Sequence, residues 1–462
     1  MRLARALVVT IAAALCVGAA GASACSVHAY GSDVYPGQVA TSLDLLFAPR
    51  PKVTGLRVLA NINPGGGYHA DVFAHRGVAF LSSWHGEDCP GTGVRVIDLT
   101  NPSRPQHIST FADAAREPEI RGTWTEKTIV REARTAAFKG TLAVTSMQHC
   151  DESAFRGFGL YDLTDPRSPK RLALVRTEGV RGSHEIWLEN ARGRLWVYTA
   201  IVRSELLSSS DYDPKTRTAT TPGLTDFRIY DVNDPRRPRQ VGSWGSWKAL
   251  GIHPNRGRGV YPANLVHSVI TDDAAKRAYL SNWDLGTVIL DISNPSRPRY
   301  LGRTRLQASE PQGDAHSAAL AKNGRILIET HETILGRPTL FDISKPRRPM
   351  LLAELHLPAA DAAPKPHLPY YAHSVHDPKV LGDHAFFSWY RHGIVVADIS
   401  RPAQPKIVAR FVPSAMADPS GDTCGNGGGP CPFVWGVYPT KDYVLASDMN
   451  SGLWVLRLTR GV

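Results

Sequence analysis

Residues 93–105 read Gly-Val-Arg-Val-Ile-Asp-Leu-Thr-Asn-Pro-Ser-Arg-Pro. The alternating apolar stretch ends in Asp98, and prolines follow at Pro102 and Pro105. Alternation at period two reads as a strand. Proline has no amide to donate and cannot continue a ladder, so the strand must run into a turn. The pattern returns at Asp162/Pro166/Pro169, Asp231/Pro235/Pro238, Asp291/Pro295/Pro298, Asp342/Pro346/Pro349 and Asp398/Pro402/Pro405. A glycine stands five residues before the Asp in several units, at Gly93, Gly157, Gly286 and Gly393, and the same spacing from Gly452 to Arg457 marks a seventh. Fixed internal spacing of this kind is the mark of a repeat protein.

Each unit has room for four strands. In the first they are His69 to Phe73, Val78 to Trp84, Gly93 to Leu99 and His107 to Phe111, with a turn at His75-Arg76-Gly77. A unit of about 55–65 residues could scarcely bury a core of its own, which argues against a string of separate sandwiches. Four short strands repeated seven times predict an all-β, seven-bladed β-propeller. The seventh unit ends at Val462 without a fourth strand. Pro51-Lys52-Val53 and Gly55 to Ile62 resemble the post-proline strand of the other units, so the N-terminal strand is expected to complete the last blade. Such closure leaves no open sheet edge.

The stretches 93–98, Thr-Val-Ile-Leu-Asp-Ile-Ser at 287–293 and Ile-Val-Val-Ala-Asp-Ile-Ser at 394–400 resemble LVIVD-repeat proteins. The resemblance covers roughly residues 50 to 458. It implies an exported or cell-surface propeller and no particular reaction.

The first residues predict export. Arg2 and Arg5 precede an apolar run from Leu7 to Ala20, and Ala22-Ser23-Ala24 offers a cleavage site. The expected organisation is a signal peptide over 1–24, a tether or linker over 25–50 and the propeller over 51–462. No later stretch is apolar for long enough to span a bilayer. Of six cysteines, Cys16 leaves with the signal. Cys25 then stands first, where a lipoprotein carries its lipid, so the product is either lipid-anchored or secreted. Cys89–Cys150 and Cys424–Cys431 are the expected disulfides. The net charge is +11. It favours solubility and fits contact with an anionic surface.

Antiparallel connectivity sorts the loops onto two faces. The upper face receives the long segments 203–227, 245–266, 356–372 and 413–433, a length that usually carries function. Trp84, His85, His149, Trp283, Asp284, His331, Glu332 and Trp389 end the second strands on that face. The expected ligand surface, for a small molecule or a surface partner, is therefore the upper one. The lower face carries the proline turns with Arg104, Arg167, Arg236, Arg237, Arg297 and Arg348 among others, and suits an anionic envelope surface. Nothing reads as a sequence-specific nucleic-acid motif. Serine-hydrolase, Walker, zincin and EF-hand motifs are absent.

His69, His184, His267, His316 and His373 precede the first hairpin turn of their units by similar counts. They are expected at one height around the axis, with Arg131 or Glu132 in unit two and Trp435 in unit seven at the same place. Imidazoles converging on a channel suit one transition-metal ion such as Zn, Cu or Fe, with Glu132 and Glu185 as supporting carboxylates. In geometry alone this is similar to the axial centres of carotenoid-cleaving and selenium-binding-type propellers. Repetition would also produce such histidines as mere strand-end anchors. The sequence therefore supports a binding or interaction protein at the cell surface, with a metal-dependent oxidase or hydrolase as the alternative and a purely structural surface protein as a third reading.

Overall fold

Why the Asp-Pro signature makes a turn is visible in its hydrogen bonds. Asp98 Oδ1 accepts from the Thr100 amide at 2.8 Å and from its hydroxyl at 2.6 Å. Asp342 accepts from the Ser344 amide at 2.8 Å and Asp398 from the Ser400 amide at 2.7 Å. Three residues later Asn101 Oδ1 accepts the Ser103 amide, and Asn294 Oδ1 the Ser296 amide, both at 3.1 Å. A backbone bond from Arg104 to Asn101 closes the turn around Pro102. Short polar side chains that mimic a backbone acceptor, followed by a proline with preset φ, turn the chain at the lower end of the third strand in blades one to six.

The computed structural model describes residues 51–65, 68–84, 93–150, 153–177, 182–191, 193–201, 225–254, 257, 263–305, 313–333, 336–358, 373–415 and 431–459. They form a seven-bladed β-propeller. From the axis outwards, blade one is His69–His75, Val78–Ser83, Val94–Asp98 and Gln106–Phe111. Blade two is Thr128–Arg134, Lys139–His149, Gly157–Asp162 and Lys170–Arg176, with Thr123–Trp124 paired to the end of its second strand. Blade three is Ser183–Ala191, Arg194–Ile201, Phe227–Asp231 and Arg239–Trp244. Blade four is Ser268–Thr271, Arg277–Asn282, Gly286–Asp291 and Arg299–Arg303. Blade five is Ala315–Ala321, Ile326–His331, Thr339–Asp342 and Met350–Glu354. Blade six begins with Pro378–Leu381, His384–Trp389, Gly393–Asp398 and Lys406–Val412, and blade seven with Val434–Pro439, Val444–Asp448 and Gly452–Leu458.

The N-terminal strand Leu56–Ile62 is the outer strand of blade seven, pairing with Gly452–Leu458 from Leu56↔Leu458 to Ile62↔Leu453. One detail differs from the sequence expectation. Pro51-Lys52-Val53 does not belong to that strand: Lys52–Thr54 pairs with Lys406–Val412 and adds a fifth strand to blade six. Gly55, at φ +67, makes the corner between the two blades and packs so close to Ala409 that a Cβ would meet its side chain at 2.8 Å. The first described residues thus clasp two blades.

The hydrophobic core lies between blades. Phe80, Val96, Val130, Val144, Phe158, Ile186 and Leu188 form one continuous cluster across blades one to three. Leu81, Ile97, Leu445 and Val455 close the ring between blades seven and one. Each sheet buries both faces against its neighbours, which a unit of this size could not do alone. The upper-face long segments fall largely outside the described residues; one described part is the short helix Ser246–Leu250, which buries Trp247. Among the described residues no helix is long and apolar enough to cross a membrane.

Candidate metal centre

The innermost strands do not keep period two to their upper ends. A register shift interrupts the first ladder at His69/Val72, Ser183/Ile186, Ala315/Ser317 and Val434/Gly436. Such a bulge leaves residues outside the pairing and re-aims their side chains. The positions so released are Ala70 and Asp71, His184 and Glu185, His316, and Trp435. His267, Glu126 with Lys127, and His376 with Asp377 stand just before the inner strands of blades four, two and six.

Four imidazoles form an arc. His184 Nε2 and His267 Nε2 are 2.6 Å apart, and the ring centroids of His267 and His316 and of His316 and His376 are 4.0 and 4.3 Å apart. Each of the last three rings is oriented by the next blade: His267 Nδ1 donates to the His316 carbonyl at 3.0 Å, His316 Nδ1 to the His376 carbonyl at 3.1 Å and His376 Nδ1 to the Trp435 carbonyl at 2.7 Å. A carbonyl only accepts, so in each ring the hydrogen sits on Nδ1 and Nε2 presents its lone pair. His184 Nδ1 faces Gln148 Oε1 at 2.7 Å and Glu126 Oε2 at 2.8 Å; Gln148 is the better-aligned of the two. Burial pushes the pKa values of His267, His316 and His376 well below the ordinary imidazole value. They are neutral, as metal ligands must be.

Glu332 completes the arc. Its Oε2 is 3.5 Å from His316 Nε2, and its Oε1 accepts from the Tyr390 hydroxyl. Ligand atoms of His267, His316 and Glu332 all lie within 4.8 Å of one another. Neutral imidazoles, one carboxylate, and a second ring nitrogen tied to a fixed acceptor are a donor set that could hold a transition-metal ion. The other side of the mouth is aromatic. Trp435 contacts the His376 ring at 4.5 Å and Trp84 at 4.5 Å, and Trp84 packs against Trp124 at 4.0 Å with the rings tilted by 52°. At blade one the equivalent position is only Ala70, fully buried in that cluster.

Beside the imidazoles sits a charged layer. Lys127 Nζ is 3.0 Å from Asp71 Oδ2, 3.2 Å from Glu185 Oε2 and 3.0 Å from Asp377 Oδ2. Lys379 also pairs with Asp377. Burial disfavours the Lys127 ammonium, yet Asp377, Asp71 and Glu185 hold its pKa well above the ordinary value. Burial likewise opposes ionisation of Asp377, which Lys127 and Lys379 hold below the usual carboxylate range, whereas it pushes Glu185 up to about 8.

Of the five histidines singled out by spacing, His184, His267 and His316 meet and two do not. His69 is held by Asn63 Oδ1 at 3.0 Å and stands one residue before the bulge. His373 faces His392 and gives its carbonyl to the Trp389 indole at 2.9 Å. Blade six contributes His376 instead, because its inner hairpin is short, Leu381 pairing with His384. Blade two does not use Arg131 or Glu132. Its hairpin closes at Thr135–Phe138, and counting eight or nine residues back reaches Lys127 and Glu126. Glu132 lies near the lower hairpin, bonded to His75 at 3.0 Å and Thr141 at 2.8 Å, far from any axial role. Glu185 holds Lys127 and touches no imidazole among the bonds described. Trp435 stands at blade seven's equivalent position.

The residues expected as an upper rim divide. Trp84, His149, His331, Glu332 and Trp389 are buried rather than exposed, and Trp283 and Asp284 are half-buried. Glu332 belongs to the centre itself, and Trp283 flanks it with its ring 5.1 Å from His267. His331 Nε2 is 3.2 Å from Glu329, and Asp284 accepts from the Ala263 and Asp314 amides. His85, Cys25, Cys89 and Cys424 lie outside the described residues.

Comparison with known proteins agrees with this architecture. The LVIVD repeat family matches residues 276–304 and 372–412. Among solved structures, the chain is similar to the Cps50 (Swd1) β-propeller domain of Myceliophteria thermophila, with 12% identity, a TM-score of 0.52, and coverage of 87% of this chain and 99% of that one. It is also similar to Raptor of Chaetomium thermophilum, with 13% identity and a TM-score of 0.53, covering 91% of this chain but 31% of Raptor. At such identities the likeness is one of fold. No curated protein matches the chain.

Proposed function

We propose that this chain, which carries LVIVD repeats on a seven-bladed propeller, holds one transition-metal ion at the upper mouth of its channel and binds or transforms a ligand reaching the ion from the long-loop face. The observation that carries the reading is the uniform orientation of the rings. His267, His316 and His376 each spend Nδ1 on a neighbouring blade's carbonyl. A histidine that only anchors a strand end has no need to leave its Nε2 lone pair turned towards other lone pairs. His376 Nε2 is in fact buried without a hydrogen-bond partner among the described residues. Imidazole with one carboxylate suits Zn, Cu or Fe. The test is elemental analysis of purified protein grown with each metal supplied: about one ion per chain is expected, lost in His267→Ala and His316→Ala variants that still fold. Metal-free wild-type protein under all three conditions refutes the centre.

A propeller is also a rigid scaffold for interaction, and the basic proline turns favour a second contact, with an anionic envelope surface, on the lower face. Residues 1–24 support export, with Cys25 as lipid anchor or first residue of a secreted chain. Cell fractionation of wild type and Cys25→Ser separates these: loss of the membrane-bound fraction in the variant supports the lipoprotein, an unaltered fraction rejects it.

A further inference from the structure

Resting on the axial metal centre proposed above, we infer that Lys127 is its positioning residue: the ammonium ties the ligand-bearing segments of blades three and six together across the channel and thereby sets how far apart His184 and His376 stand. The argument begins from sequence neighbours. Glu185 follows His184, Asp377 follows His376, and Asp71 follows Ala70, so three of the residues around Lys127 Nζ are each one peptide away from an axial position. The ammonium touches all three at 3.0–3.2 Å. Its own backbone is fixed by the Ser146 hydroxyl, which accepts the Lys127 amide at 3.0 Å, and by the Ser146 amide, which donates to the Lys127 carbonyl at 2.9 Å. One side chain therefore links blades one, two, three and six.

A cation next to a metal site is otherwise hard to explain. Repulsion between an ammonium and a metal ion weakens metal binding, and a buried ion pair is poor evidence of stability by itself. Binding geometry supplies the reason. In blade three the strand end released by the bulge at Ser183/Ile186 needs another constraint to hold its imidazole to within a few tenths of an ångström. In blade six the His376 amide still donates to the Ser388 carbonyl at 2.9 Å, and the ammonium adds a tie across the channel to that backbone bond. The ammonium, with three donors and no acceptor, satisfies one carboxyl oxygen per segment and so holds the three segments at a fixed distance from one point.

The two accounts of Lys127 differ in sign, which makes them separable. If its charge is what matters, Lys127→Met removes a neighbouring cation and metal binds more tightly. If it positions the ligands, metal binds more weakly. The experiment measures Co(II) affinity by chelator competition and the visible spectrum of the bound ion, on full-length folded protein. Lys127→Met is expected to lose about tenfold in affinity, the scale of other supporting-residue changes, and to shift the spectrum; unchanged or tighter binding overturns the inference. Should that variant not fold, Glu185→Gln and Asp71→Asn decide. Each replaces one carboxyl partner of the same ammonium by an amide, but of these two segments only that of blade three carries an imidazole beside it. A loss of about tenfold for Glu185→Gln with less than about twofold for Asp71→Asn is expected; equal losses show no dependence on the neighbouring imidazole and overturn the positioning role. Wild-type protein that takes up no Co(II) sinks the metal centre and this inference together, whereas a binding wild type with indifferent variants sinks this one alone.

Discussion

His184 and His267, from neighbouring blades, bring their Nε2 atoms to 2.6 Å of one another. With Nδ1 of His267 committed to the His316 carbonyl, its Nε2 offers a lone pair, and 2.6 Å is a hydrogen-bond distance, so in the metal-free chain His184 Nε2 donates to it. A metal ion bound to both rings would take the place of that hydrogen. His376→Ala is accordingly expected to weaken metal binding about tenfold or more, and His373→Ala to leave it unchanged. Titration of each variant with Co(II) checks this. An effect of His373→Ala as large as that of His376→Ala would return His373 to the site and remove His376.

The same imidazoles make the metal-free fold sensitive to acid. Burial, with Arg95 adding to it, lowers the His69 pKa to about 3, and burial takes His267, His316 and His376 well below the ordinary value. The unfolded chain takes up these protons near pH 6.5 and the folded chain does not. The stabilising contribution is therefore complete above pH 6.5 and is lost as pH falls from there towards the folded pKa values. Each such group costs up to ~1.4 kcal/mol per pH unit in that window. Urea midpoints of the metal-free protein should drop between pH 7.5 and 5.5, and added metal should restore part of the loss. A midpoint independent of pH over that range contradicts neutral buried imidazoles.

How far the sequence was readable follows from what each signal depends on. The Asp-Pro turns are local: Asp98, Thr100 and Pro102 make their bonds within a few residues, so the blades could be counted from one chain. The closing strand was visible because Leu56–Ile62 alternates like its equivalents, but the corner at Gly55 that sends Lys52–Thr54 into blade six depends on packing against Ala409. The axial residues sit at bulges and beyond strand ends, where neither periodicity nor a fixed distance to the turn holds. Counting found His184, His267 and His316. It missed His376 because the hairpin arm of blade six is shorter, and it missed Lys127 because the turn of blade two lies at Thr135–Phe138. The consecutive polar pairs Glu126-Lys127, His184-Glu185 and His376-Asp377 are the available sign that two consecutive positions face the axis.

The repeat glycine has a testable reason of its own. Gly393 has φ +77, and a Cβ there would collide with the Phe411 carbonyl of the fourth strand; Gly77, at φ +75 in the first hairpin, has nothing within 4 Å. Gly77→Ala should cost only the left-handed strain, about 1–2 kcal/mol. Gly393→Ala carries that strain and a clash with backbone, which cannot move without breaking the ladder between Gly393–Asp398 and Lys406–Val412. Chemical denaturation of the two variants should therefore show the larger loss for Gly393→Ala. Equal losses would mean that the marker glycine serves the turn conformation alone.

The last prediction concerns the cysteines. Cys150 follows the second strand of blade two, with its amide on the Gly122 carbonyl at 2.8 Å, and Cys431 stands three residues before the inner strand of blade seven. We propose Cys89–Cys150 and Cys424–Cys431 as the pairs, each joining a described residue to one outside the described set. Proteolytic mapping of unreduced protein should give one linked peptide pair from blades one and two and one closed loop before blade seven; a link between Cys150 and Cys431 rejects the scheme. The two bridges should also differ in weight. In the chain-entropy picture a loop of about 60 residues constrains the unfolded chain more than one of about seven, by roughly 2 kcal/mol. Replacing Cys89 and Cys150 by Ser should accordingly lower the unfolding free energy by about that much more than replacing Cys424 and Cys431. The reverse order would show that the short loop holds native geometry that the long one does not.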